Sequence, residues 1–216
     1  MTARRGERLR EHILWTAKEV FLELGFERTS MDLVAARAET SKRSLYAHFE
    51  SKDKLFGAVV GLARELYLGR LRTPAEYDDD PAEAVVSFCG RFLELQTWTT
   101  SLRTLRLGVA EAERLPEAAA QYHEAVFEIP QRRLAEYLAG RYRLDPGAAE
   151  ELARQLIGRA VYPRLIRALM GVDAPLAERP DDDAPVTGVD LAPLRAAVAA
   201  LLPPAPEGAQ GGEAKA

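Results

Sequence analysis

At 216 residues, 47% hydrophobic and 29% charged, the chain suits a small module plus one larger soluble core. Its single cysteine excludes an internal disulfide framework and fits a reducing cytoplasm, and no apolar run approaches the roughly 20 residues that cross a bilayer. The net charge of −4 hides an asymmetry: residues 1–56 carry 11 Lys/Arg against 9 Asp/Glu and the remainder 18 against 24, which leaves only the first quarter for a nucleic-acid face.

Ala, Leu, Arg and Glu dominate and β-branched residues are sparse, a mixture that favours helix. The charged N-terminus is expected to enter a helix directly and not to serve as a signal peptide. Leu9, Ile13, Ala17, Val20, Phe21 and Leu24 recur at helical spacing and predict an amphipathic helix from about Arg5 to Leu24. Gly25 is placed to end it in the left-handed conformation, with Phe26 folding back on the last turn. Thr29 or Ser30 caps a second helix through Ala38, with Asp32 favourable in its first turn. Ser41 caps a short third helix, and Ser51 caps a fourth from Lys52 to about Leu71.

Beyond that point, Pro just inside a cap announces helix starts at Asp80-Pro81, Leu115-Pro116 and Asp145-Pro146. Helices are predicted at about 81–99, 101–113, 116–142, 146–171 and 190–202, about nine along the whole chain. Pro130 and Pro163 fall inside two of these and are expected to kink or split them. No alternating run demands a strand. Segments 73–80 and 172–189 read as loops, and residues 203–216 are too small and polar to pack, so disorder is expected there. The fold class is therefore all-α.

The third helix carries the chemistry. Lys42, Arg43, Tyr46 and Ala47 share one face, while Leu45 and Phe49 point inward. A short capped helix with a donor-rich outer face suits presentation to the major groove of double-stranded DNA. Arg43 is the first choice for a base, because a guanidinium pairs bidentately with guanine; Lys42 and Ser44 come second, and Ala47 suits a thymine methyl. Tyr46, His48 and Lys52 suit phosphates, Lys52 standing near the positive end of the fourth helix. Thr29, Ser30, Thr40 and Ser41 are candidates for hydroxyl contacts. Taken singly, each has a plainer role: Tyr46 roofing a small core, His48 a surface residue, Lys42 and Arg43 a solvated face.

Thr29–Leu55 resembles the DNA-binding signature of TetR-family transcriptional regulators. The matching residues are the Thr29-Ser30 pair, Ala35 and Ala38, Ser41-Lys42, Leu45-Tyr46, His48-Phe49, Ser51-Lys52 and Leu55. The resemblance implies a helix-turn-helix head (1–51), a larger helical ligand-binding and dimerisation domain (52–202), and a homodimer on a palindromic operator. It also implies a repressor released by a small molecule. One departure stands in the turn, where family members usually have Gly and this chain has Glu39. Either the second helix extends slightly or the turn is strained.

Residues 102–117, Tyr122-His123-Glu124 and 152–159 resemble the C-terminal domain of AefR-like members of that family. Aromatic residues in 81–171 serve either a core or a pocket. Trp98, Arg106, His123, Phe127 and Tyr162 combine apolar bulk with polar handles and are the pocket candidates, for a ligand the sequence does not identify. An apolar stripe of Leu152, Leu156, Leu165 and Leu169, with Leu194, Val198 and Leu201 on the last helix, faces either a second copy or its own core.

No His or Cys pair sits at metal-ligand spacing, so no metal is expected. The runs Asp78–Asp80 and Asp181–Asp183 read as solvated loops, Asp80 also as a cap, and Cys89 beside Phe88 as a small core residue. No phosphate loop or catalytic spacing appears, and neither catalysis nor a cofactor is expected. The rival reading is a helical protein-interaction adaptor or enzyme carrying a vestigial DNA-binding head.

Overall fold

The computed structural model describes residues 2–204, with side chains from residue 6 onward. All but the first two residues of the tail expected to be disordered lie outside the described residues. The chain forms α1 (Thr2–Arg28), α2 (Met31–Arg37), α3 (Lys42–His48), α4 (Lys52–Leu68), α5 (Pro81–Thr97), α6 (Thr99–Ala110) and α7 (Pro116–His123). It continues with α8 (Ile129–Tyr142), α9 (Pro146–Ala160), α10 (Tyr162–Leu169) and α11 (Ala192–Leu201). Among the described residues the only extended pairing is an isolated bridge between Trp98 and Leu176. The all-α expectation holds.

Two of the predicted long helices are interrupted at their prolines. Between α7 and α8, residues Glu124–Glu128 form a π-helical turn just before Pro130. Proline offers no N–H and crowds the carbonyl four residues earlier, which here belongs to Val126. The buried Gln96 amide donates to that carbonyl at 2.7 Å, so the acceptor freed by the proline is satisfied. Pro163 acts similarly, and the helix breaks at Val161 between α9 and α10.

The chain divides into two units. One runs through Tyr67 and includes Thr100–Ala125; the other joins Leu68–Thr99 to the chain from Val126 onward. The first unit thus takes in residues well beyond a 1–51 head. Gly25 adopts φ 78°, a conformation costly for other residues, and it breaks α1 where the sequence predicts. The break turns Phe26 back against Phe21, their rings stacked at 5.9 Å, and Phe56 of α4 meets both edge-on at 5.2 and 5.3 Å. This aromatic trio joins α1 to α4.

In the second unit α5 is buried from Ala84 to Thr97 except at Ser87. α8 and α9 pack together, and α10 and α11 lie on α5 and α9. Segment 172–189 is irregular, as predicted, yet it is pinned. Leu176 exchanges backbone hydrogen bonds with Thr97 (3.0 Å) and Thr99 (2.9 Å). The aspartates 181–183 are not merely solvated. Asp182 lies 3.6 Å from Arg70, and Asp183 pairs with Arg72. Asp80 caps α5 as expected, accepting from Ala82 and Glu83 at 2.9 Å each.

Burial pushes the Cys89 thiol up to about 12. A thiol held protonated and covered is not a nucleophile. The native protein should therefore leave a thiol-specific disulfide reagent unconsumed at pH 8 and titrate one thiol only after denaturation. Rapid reaction of the native protein would contradict the packing.

Candidate functional site

The helix-turn-helix is assembled by its caps. Ser30 begins α2, its hydroxyl accepting from Leu33 N at 3.1 Å, and Ser41 begins α3 by accepting from Ser44 N at 3.1 Å. α2 ends with Glu39 N donating to Ala36 O at 3.2 Å and Thr40 N to Ala35 O at 3.0 Å, the paired bonds of a Schellman motif. That motif requires a left-handed residue, and Glu39 supplies it at φ 48°. Of the two alternatives for this turn, the strained one is observed. Glu39→Gly should raise stability by about 1 kcal/mol, read from the urea midpoint. An unchanged or lower midpoint would contradict the strain.

α3 packs on α1 and α2 through Leu45, fully buried, while Phe49 is covered and lies under the Arg10 guanidinium at 5.2 Å. The opposite face is open. Arg43 is exposed with no hydrogen-bond or ion-pair partner among the described residues; Tyr46 is 49% exposed, and Ala47 is exposed beside it. Positions 43, 46 and 47 fall on one helical face.

Other candidates are engaged. The Lys42 ammonium pairs with Asp32 of α2 at 2.5 Å. Ser41 and Ser44 share a hydroxyl–hydroxyl hydrogen bond of 2.9 Å. His48 is half-buried, its ring 6.5 Å from Phe49, and Thr40 is half-buried.

Two further candidates make contacts within the head. Thr29 is buried, and its hydroxyl donates to Gly25 O at 2.7 Å, so it braces the α1 break and offers nothing outward. Lys52 donates to Phe26 O at 2.9 Å with its ammonium 4.2 Å from the ring centroid, so it straps α4 to the aromatic trio. Ser30 remains exposed, with its oxygen serving as the cap.

The five pocket candidates divide between the two units. Trp98, beneath Arg70, and the Phe127–Tyr162 edge contact at 6.3 Å belong to the second unit. Arg106 and His123 are exposed residues of the first. None of the five lines the narrow cavity between α1, α4, α6 and α7 of the first unit, but Arg106 lines an open cleft of about 830 Å³ in the same unit, between α1 and α6. Phe56, Val60, Thr104, Gly108, Ala119 and Tyr122 are among the walls of the narrow cavity. It measures about 20 Å³, room for roughly one water. Tyr122 hydrogen-bonds Thr104, and burial raises its phenol well above the ordinary value, so it faces the cavity uncharged. The sequence signal for this wall was the small residues Gly108, Ala118 and Ala119, which let neighbouring helices approach closely.

The stripe assigned to a dimer face divides by burial. Leu156, Leu165, Leu194 and Val198 are all buried in the chain's own core, and Leu152, Leu169 and Leu201 are partly covered. The exposed apolar residues of α10 and the turn after it are Ile166 (54%), Met170 (75%) and Val172 (62%).

A family model described as bacterial regulatory proteins, tetR family, matches residues 13–59. Another, described as the AefR-like transcriptional repressor C-terminal domain, matches residues 83–191. The HTH-type transcriptional regulator UidR of Escherichia coli (strain K12) is 30% identical over 131 residues, 58% of this chain and 64% of that protein. The match thus spans just under two thirds of that relative's length. A TetR-family regulator from Mesorhizobium loti MAFF303099 superposes with a TM-score of 0.70 at 22% identity, covering 91% of this chain and 96% of that one. The flavonoid-responsive regulator FrrA superposes at 0.64 with 24% identity, covering 90% and 93%. At these identities both structures share the fold.

Proposed function

The chain belongs to the TetR family of bacterial regulatory proteins, and from that premise we propose that it is a sequence-specific DNA-binding transcriptional regulator. It acts in the cytoplasm as a homodimeric repressor, released from a palindromic operator by a small molecule. The observation that carries this reading is the open face of α3, with Arg43, Tyr46 and Ala47 held outward by buried Leu45 and covered Phe49. Arg43 reads a guanine edge, Ala47 meets a thymine methyl, and Tyr46 sets a phosphate.

The switch is the narrow cavity of the first unit. An occupant larger than one water has to part α1 and α4 from α6 and α7. Lys52, strapped to Phe26, couples any movement of α4 to the turn that precedes α2. A molecule that fits only the parted arrangement shifts the population away from the DNA-reading one. The cavity wall is mostly apolar, so an apolar ligand is the expected class. Responsiveness to a flavonoid, which FrrA's name states, supports a small-molecule switch on this fold.

For the dimer, the exposed face of Ile166, Met170 and Val172 replaces the buried leucines as the surface for a second copy. Aspartate at Ile166 and Met170 together should convert a sedimenting dimer to monomer while the helical circular dichroism is retained. A dimer that persists would move the interface elsewhere.

The proposal is tested by a gel shift of the full chain on DNA upstream of its own gene. Retardation should weaken steeply between 50 and 200 mM salt, as phosphate contacts release counterions, by about 10³-fold or more for six or more contacts. Complete absence of salt-dependent retardation would favour the adaptor or enzyme reading.

A further inference from the structure

The Arg10 guanidinium of α1 lies over the ring of Phe49, 5.2 Å from its centroid, and Phe49 is the residue that closes α3. The ring is a fixed platform: Phe49 is 4% exposed, and its amide donates to Leu45 O at 2.9 Å. Arg10 itself is exposed. Two carboxylates stand close to it in the chain, Glu7 one turn earlier on the same helix and Glu50 beside Phe49. Neither pairs with it, and Arg10 has no hydrogen-bond or ion-pair partner among the described residues. Contact with a ring occupies the face of a guanidinium and leaves the N–H groups at its edge free to donate. The planar fork is then pre-organised for an oxyanion such as a phosphate.

A recognition helix meets base edges with its N-terminal residues, while neighbouring elements cross the sugar–phosphate backbone. In α3 the N-terminal half carries Arg43, so the end closed by Phe49 falls toward the backbone. His48 stands at that end as well, its ring 6.5 Å from that of Phe49. None of the DNA-contact residues assigned above lies on α1.

We propose that Arg10 is a phosphate clamp of the head. Held on the Phe49 ring, its guanidinium donates to a backbone phosphate beside the groove that α3 enters, and so fixes the register of α3 without reading sequence. This rests on the reading of α3 as the DNA-reading helix.

Fluorescence anisotropy of the full chain between 50 and 200 mM salt tests this, on DNA upstream of its own gene and on a scrambled duplex of equal length. Arg10→Ala should weaken binding to both duplexes alike, by about 3- to 10-fold, with a salt slope shallower by roughly 1 and discrimination between the duplexes unchanged. Arg10→Lys should keep the slope and recover only part of the affinity, since an ammonium lacks the stacked fork. A lower urea midpoint with an unmoved salt slope in Arg10→Ala would assign Arg10 to packing alone and overturn the proposal. A loss confined to the upstream DNA would overturn it too, because that is the mark of a base contact. Absence of salt-dependent binding by the unaltered chain would overturn it together with the reading of α3 beneath it.

Discussion

Arg43→Ala should weaken binding to a palindromic operator by roughly 5- to 150-fold per half-site, the equivalent of about 1–3 kcal/mol for one bidentate guanine contact. The guanidinium stands on the exposed face of a helix fixed from behind by Leu45, with no partner among the described residues to hold it back. Removing it leaves the head's packing untouched, so circular dichroism and thermal midpoint should not move. Arg43→Lys should recover only part of the loss, because a lysine supplies charge without the planar fork. Lys42→Ala should cost less, since its ammonium already pairs with Asp32 at 2.5 Å. Fluorescence anisotropy on a labelled operator and on a scrambled duplex separates the two effects. Arg43→Ala should lose discrimination between the duplexes, whereas loss of a phosphate contact weakens both alike. Equal affinity of Arg43→Ala and the unaltered chain for the operator would contradict the reading of α3.

Phe56→Ala should destabilise the protein by about 3–5 kcal/mol, the range for removing a buried aromatic. Its ring meets Phe21 at 5.2 Å and Phe26 at 5.3 Å, both edge-on, and is itself 2% exposed. Such pairs add to the burial term, and the trio is where α4 is joined to α1. Against a typical total of about 5–15 kcal/mol, this is a large share. The urea midpoint should fall accordingly, with Phe56→Leu between the two. Because Phe56 also lines the narrow cavity of the first unit, truncation should enlarge that space and leave room for apolar solutes. A loss below about 1 kcal/mol would show that α1 and α4 are held by other contacts.

Local chemistry explains which parts of this architecture were readable from sequence. Gly25 at φ 78°, the serine caps of α2 and α3, and the breaks near Pro130 and Pro163 each depend on a few neighbouring residues. Long-range packing decided the rest. Thr29 and Ser30 are equivalent cap candidates in sequence, and only the Gly25 carbonyl beside Thr29 separates them. An amphipathic stripe does not state whether its partner is the same chain or another, so Leu156, Leu165, Leu194 and Val198 proved to be core while Ile166 and Met170 face outward. Aromatic residues drew attention as pocket candidates, whereas the narrow cavity of the first unit is lined mostly by Leu, Val and Ala side chains, with Phe56, Thr104 and Tyr122 beside them. Nothing local to Arg91 and Glu94, three residues apart on a helix, marks them as buried; segment 172–189 covers them from about 90 residues away.

The central claim is that two copies of α3 read a palindrome with Arg43 as the base-reading side chain. Selection of binding sites from random duplex DNA by the full chain tests this most directly. The predicted result is a palindromic consensus whose half-sites are centred about one helical turn, or ~34 Å, apart. Each half-site should contain a guanine whose preference disappears when the selection is repeated with Arg43→Ala. A consensus without two-fold symmetry, or one unchanged by Arg43→Ala, would contradict it.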